Sequence, residues 1–359
     1  MSTHTVEFSE IPPRPLVEGP AAWYGPDLAR HPEQWTYHLT EADRAEVAAA
    51  VAGVQARGLE IADITRTAFP LPRFGAELLQ MCDAVLNGRG FVLIRGLPVQ
   101  DRPIADSAIA YFGIGTWFGS ARSQNAKGHL LGHVRDLGYS TDDPRVRTYQ
   151  TTERQHFHTD SCDVVGLLCL KTAKSGGMSS LVSSSTIYNE MAKRRPDLVR
   201  RLFQPFATDR RGEVPAGKRP WFDMPVFHDY QGYLSAIYTH TYVRSSQRFP
   251  EARRLTPEDL EALDMFDSLA ESPDLRLDFA MEPGDIQFVH NHTILHDRTA
   301  FEDWPEPERK RHLLRLWLAP QGARPLPPVY AERYGSLTVG DRGGIICPDT
   351  RLHAPLEPV

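Results

Sequence analysis

The chain has 359 residues, 41% of them hydrophobic and 24% charged, with a formal net charge of −6 and an isoelectric point near 6.2. That is ample chain for a substantial core in a soluble globular protein, and its charge provides no global basic field for nucleic acid. No apolar run reaches the 18 or so residues that a membrane span needs, so neither a membrane nor a nucleic-acid partner is expected.

Residues 1–40 are rich in Pro, Trp and Tyr and predict an irregular arm; Met1 to Pro20 carries Glu7, Glu10 and Glu18 and lacks the apolar stretch of a secretory signal. The four cysteines (Cys82, Cys162, Cys169, Cys347) are scattered without a CxxC. A reducing cytoplasm is expected, not a disulfide scaffold or a zinc ribbon, with Cys162 and Cys169 as buried, inert thiols. Thr40 to Asp43 has the form of an N-cap with an acidic first turn, and the Ala-rich run to Ala56 predicts a helix. A second helix is expected over Phe74–Leu86, a strand over Gly90–Gly96 and a helix over 103–119. Ser120 to Asp143 is polar and too long for a plain turn, so we expect a lid over the segment that follows it or a simple surface excursion.

The segment Gln155-His156-Phe157-His158-Thr159-Asp160 predicts a short extended stretch. Residues two apart on a strand share a face, so His158 and Asp160 project side by side. With a distant histidine they would form a two-His, one-carboxylate triad, the ligand set of non-haem Fe(II) oxygenases. Alone, an HxD is a weak signal, more often a surface turn or a satisfied polar pair.

Strands follow at Val164–Leu170 and Ser179–Ser184, helices at Thr186–Lys193 and Pro196–Phe203, and strands at Trp221–Phe227, Tyr233–Tyr238, Leu275–Met281, Ile286–His290 and His312–Ala319. Thr256 and Pro257 begin a further helix. Short strands interrupted by helices disfavour a doubly wound sheet. The expected fold is mainly β with flanking helices around a jelly-roll core, and 321–359 forms a Pro-rich tail over the body.

His290, His292 and His296 stand within seven residues, and spacing does not choose among them. Arg311 and Arg315, four apart on an apolar strand, would share a face. A buried guanidinium needs an anionic partner. The candidates are a dicarboxylate cosubstrate held by a bidentate fork, or the acidic residues of 302–308.

Taken together, His158-x-Asp160, His296-Asp297-Arg298 and Arg311-x-x-x-Arg315 resemble the taurine dioxygenase/TfdA-like branch of the Fe(II)- and 2-oxoglutarate-dependent oxygenases, in the clavaminate synthase-like superfamily. The similarity runs from about Gly90 to Ala319. It implies a double-stranded β-helix (a cupin-like jelly roll) and selects His296 as the second histidine ligand. It implies Fe(II) on His158, Asp160 and His296. The distal carboxylate of 2-oxoglutarate falls to Arg311, with Arg309 competing because the gap from His296 is long. Arg315 becomes a second arginine facing substrate or cosubstrate. Gly176-Gly177-Met178-Ser179 is similar to the family's Gly-Gly-x-Thr, which assigns Ser179 to 2-oxoglutarate binding. Asp160 stands where halogenating relatives have a small residue, which disfavours halogenation.

The implied reaction consumes O2 and 2-oxoglutarate, releases succinate and CO2, and hydroxylates an unactivated C–H of a small polar metabolite such as an amino acid or derivative. The same oxidant can desaturate, cyclise or epimerise. A cupin-like metal-dependent hydrolase or isomerase is the alternative from another class, and a non-catalytic jelly-roll binding protein a third. Arg122, Gln124, Asn125, Arg154 and Asp163 are the candidates for contact with substrate, Asp163 for an amine. The expected layout is one dioxygenase domain over 1–359: an arm and helices over 1–89, a core over 90–320 with a helical insertion at about 186–271, and the tail.

Overall fold

The computed structural model of the chain describes residues 14–139 and 146–358. Eleven strands form its two main sheets. In chain order they are β1 (Thr36–His38), β2 (Phe91–Arg95), β3 (Ser120–Arg122), β4 (Gly132–Val134), β5 (Gln155–His158), β6 (Val164–Lys171), β7 (Ser179–Ser183), β8 (Leu277–Phe279), β9 (Ile286–His290), β10 (Ile294–Arg298) and β11 (His312–Ala319). The larger sheet runs β1-β2-β9-β6-β11-β3, with β4 also paired to β11. Only β1 and β2 are parallel in it. The smaller, antiparallel sheet runs β8-β7-β10-β5.

Period-2 alternation assigns the faces of both sheets. On the larger sheet Val92, Ile94, Leu168, Phe288, Leu314 and Leu316 pack under the helices Glu41–Ala56, Phe74–Leu86 and Ile104–Gly115. The alternate residues Phe91, Leu93, Val165, Val289 and Trp317 share a core with Leu181, Leu277 and Ile294 of the smaller sheet. The other face of the smaller sheet carries Phe157, Val182 and Leu295 against the helices Ser184–Arg194, Pro196–Leu202 and Pro257–Ala270. The order is therefore helices, sheet, sheet, helices. Gly166 on β6 permits the helix to approach, since a Cβ there would lie 2.6 Å from the Tyr111 hydroxyl.

Local signals account for the helix ends. Thr40 and Thr256 each form a capping box, with Asp43 and Asp259 respectively. The strand expected over Trp221–Phe227 divides at Pro225, whose ring removes a ladder donor. It becomes two hairpins, Phe206–Asp209 with Trp221–Met224 and Phe227–Tyr230 with Tyr233–Ala236.

The structure is mixed helix and strand, not mainly strand. The expected lid over Ser120–Asp143 is also corrected up to Tyr139: it contributes β3 and β4, whose backbone groups find partners along β11. Residues 140–143 of that segment lie outside the described residues. The tail is not a mere cover, because it places the Arg342 side chain, 0% exposed, inside the protein. No helix among the described residues is long and apolar enough to cross a membrane.

Candidate metal centre and adjoining clefts

The two sheets meet at a cluster of three donors. His296 lies at the middle of β10, where Ile294, His296 and Arg298 alternate with Leu295 and Asp297. Across the β5–β10 pairing its register partner is His158, and the two rings stand 4.2 Å apart. Asp160 follows just past the end of β5. Its backbone N–H donates to Asn291 Oδ1 (2.9 Å), and the N–H of Thr159 donates to the Tyr238 carbonyl (2.8 Å). The Asp160 carboxylate oxygens lie 3.9 Å from His158 Nε2 and 3.8 Å from His296 Nε2. Ligand atoms of His158, Asp160 and His296 all lie within 4.8 Å of one another.

The protonation states suit a cation. His158 Nδ1 lies 2.8 Å from the His156 carbonyl, so Nδ1–H donates and the lone pair remains on Nε2. Burial pulls His296 down to about 3, keeping its imidazole neutral. Burial alone would push Asp160 up, but the Arg315 guanidinium and a hydrogen bond from Trp317 hold it below the usual carboxylate range. Trp317 Nε1 donates to Asp160 Oδ2 at 2.9 Å. Two imidazoles and one carboxylate are a donor set that fits Fe(II).

Beside the triad lies a small pocket lined by Ser179, Gln287, Arg298, Arg311 and Arg315 with Val165 and Leu313. The buried Arg311 guanidinium has no carboxylate within 4.0 Å among the described residues. The expected acidic neighbour is engaged differently: Asp303 accepts the Arg311 backbone N–H at 2.8 Å. Arg298 donates to the Thr148 and Thr151 carbonyls, both at 3.3 Å, while its Nε and Nη1 have no partner. Burial pulls Arg298 to about 9 and Arg311 to about 10. Uncompensated buried cations fit an acidic ligand. Gly177 has φ +68°, and a Cβ there would lie 3.1 Å from Arg311 Nε, which accounts for a glycine at that turn.

The competing Arg309 lies outside this pocket, half-exposed and 3.6 Å over the Trp304 ring. His290 and His292 are not in the donor cluster. His290 meets Thr293 Oγ1 (3.0 Å), and His292 Nε2 meets Asp163 Oδ1 (2.7 Å).

Of the residues proposed for substrate contact, Gln124 and Arg154 line a larger cleft on the other side of the triad. Gln124 Oε1 accepts Arg315 Nε at 2.7 Å, and Arg154 pairs with Asp297 (2.9 Å). The structure places the other three elsewhere. Arg122 pairs with Asp341 (2.5 Å), and Asn125 meets His129 (3.1 Å); neither lines the cleft. Asp163 is fully buried and saturated by Arg342 (2.9 Å) and His292, so it has no carboxylate oxygen for a substrate amine. Chain proximity to Asp160 misled there, because Asp163 turns to the opposite side of the segment. Asn291, Trp317, Gln155, Arg147, Arg298 and Arg333 were not anticipated at the site. Only Arg298 carried a usable signal, two residues from His296 and hence on its strand face.

Residues 58–317 match the family model described as taurine catabolism dioxygenase TauD, TfdA family. The chain belongs to this family. It is an Fe(II)/2-oxoglutarate-dependent dioxygenase, and it uses O2 as cosubstrate. Among its TauD/TfdA relatives, FR-33289 synthase of Streptomyces rubellomurinus is 32% identical over 320 residues, covering 87% of this chain and 92% of the relative. Taurine hydroxylase-like protein SAT17 of Stachybotrys chartarum is 32% identical over 307 residues, covering 82% and 77%. The solved structure of asparagine oxygenase with Fe(II), 2S,3S-3-hydroxyasparagine and succinate superposes with TM-score 0.62 at 15% identity, over 79% of this chain and 93% of that one.

Proposed function

We propose that this TauD/TfdA enzyme hydroxylates an unactivated C–H bond of a small polar metabolite, with His158, Asp160 and His296 holding Fe(II). The observation that carries the reading is a pair of buried guanidiniums, Arg298 and Arg311, without a carboxylate partner beside the three donors. 2-Oxoglutarate, a dianion, supplies that missing charge. Its 5-carboxylate pairs with Arg311 and the Ser179 hydroxyl, while Arg315 stands between this pocket and the larger cleft. When bound, iron and 2-oxoglutarate supply the oxidising chemistry, yielding succinate, CO2 and an oxygenated product.

The protein's part is positioning and protonation control. Trp317 and Arg315 keep Asp160 ionised, and the His156 carbonyl fixes the His158 ring so that Nε2, 2.9 Å from the Gln155 amide nitrogen, faces the other two donors. Apolar walls from Val165 and Leu313 exclude water from the cosubstrate. Substrate occupies the larger cleft, where Gln124 and Arg154 are contacts. The solved relative with hydroxyasparagine supports hydroxylation of an amino acid or derivative as the starting class. We read the two sheets as the halves of a double-stranded β-helix, the whole chain as one catalytic domain, and its setting as the cytoplasm.

The test is anaerobic. Fe(II) followed by 2-oxoglutarate should produce a visible charge-transfer band from the chelated keto acid in wild type and not in His296→Ala. Iron bound at full stoichiometry in wild type without that band would overturn the reading.

A further inference from the structure

We infer that the substrate carries an oxyanionic group and that Arg333 anchors it. This rests on the oxygenase reading and adds the substrate class. The larger cleft is lined by four arginines (Arg147, Arg154, Arg315 and Arg333) and, among the described residues, by one carboxylate, Asp160. Three of the arginines are already engaged. Arg147 pairs with Glu213 and donates to the Tyr242 hydroxyl. Arg154 pairs with Asp297 and, at 3.2 Å, with Glu271. Arg315 donates to Gln124 and lies 3.8 Å from Asp160.

Arg333 is different. Its Nε donates to Ser161 Oγ at 2.6 Å, and no carboxylate lies within 4.0 Å of its guanidinium among the described residues. Its two terminal amino groups are left for a ligand, and a guanidinium so placed suits an oxyanion. The position is fixed. Tyr334 Oη donates to the Cys162 carbonyl (3.2 Å), and the Gly344 N–H donates to the Ser161 carbonyl (2.7 Å). The tail thus clamps residues 161–162, next in the chain to Asp160, and brings Arg333 to the cleft beside the metal-ligand segment. A substrate ammonium finds no equivalent partner, because the single lining carboxylate is a metal ligand in this reading. The cleft therefore selects for negative charge at the Arg333 end, whether carboxylate, phosphonate or phosphate.

The experiment is a calorimetric titration of full-length protein, kept anaerobic and saturated with Fe(II) and 2-oxoglutarate. The probes are methylphosphonate, acetate and methylamine. Wild type should bind at least one of the two oxyanions and not methylamine, and the ranking of the oxyanions identifies which chemistry the site prefers. Arg333→Met should weaken oxyanion binding at least tenfold, and Arg333→Lys by less. The charge-transfer band should be unchanged in both variants, which also reports that the site is folded. Equal oxyanion binding by wild type and Arg333→Met, no oxyanion binding by wild type, or a preference for methylamine would overturn the inference. Loss of the band in wild type would instead overturn the oxygenase reading beneath it.

Discussion

The indole Nε1 of Trp317 on β11 donates to Asp160 Oδ2 at 2.9 Å, so a residue of the larger sheet orients a carboxylate carried by the smaller one. Partners of this kind tune metal affinity by about 10- to 100-fold. Trp317→Phe keeps the ring and removes the donor. We expect Fe(II) affinity to fall within that range in a metal titration, with the far-UV circular dichroism unchanged.

Arg311 and Arg309 make opposite predictions. Arg311→Leu removes a buried guanidinium from the small pocket and should weaken 2-oxoglutarate binding by at least about 30-fold, the low end of about 2–5 kcal/mol for a buried charge partner. Arg309→Ala alters a half-exposed side chain over Trp304 and should leave the binding constant within about twofold. Titration of the charge-transfer band measures both.

The three clustered histidines separate by iron content. His296→Ala should purify without stoichiometric iron, whereas His290→Ala and His292→Ala should retain it. His292→Ala should nevertheless destabilise the fold by about 1–3 kcal/mol, because buried Asp163 loses a hydrogen-bonded partner. Iron analysis and chemical denaturation of the three variants decide.

Acid should destabilise the fold through histidines remote from the metal. Burial pulls both His228 and His312 from 6.5 to about 3. Below pH 6.5 the unfolded chain takes up protons that the folded protein refuses, so stability falls as pH drops from 6.5 towards 3. Each such histidine contributes about 2 kcal/mol of loss between pH 7 and pH 5. Denaturation midpoints over that range should decline steeply, and His228→Leu should flatten the slope.

The parts of the site legible in the sequence were those encoded by short spacing. His158 and Asp160 stand two apart, and Arg311 and Arg315 four apart, so local backbone geometry brings each pair to a common surface. Spacing could not separate His296 from His290 and His292, because all three stand an even number of residues apart and a continuous strand would put them on one face; resemblance to the family made that choice. The sheet cores were legible as short, nearly continuous apolar runs in β2, β6 and β11, the mark of strands buried on both faces. Strand pairing by Ser120–Arg122 and Gly132–Val134 was not, because those residues pair through backbone groups that carry no side-chain signature. Arg333 was the least visible. Its contact with Ser161 spans 172 residues, from a Pro-rich segment with no period to follow.

The clamp by Arg342, Tyr334 and Gly344 on residues 161–163 also sets a timetable for biosynthesis. A nascent chain exposes both ligand strands once β10 has emerged, but the segment holding Asp160 cannot take its final form until residue 344 is clear of the ribosome. The cleft should close last, after the sheets have paired. Stalled or truncated chains would then accumulate as folded sheets with an unfinished pocket.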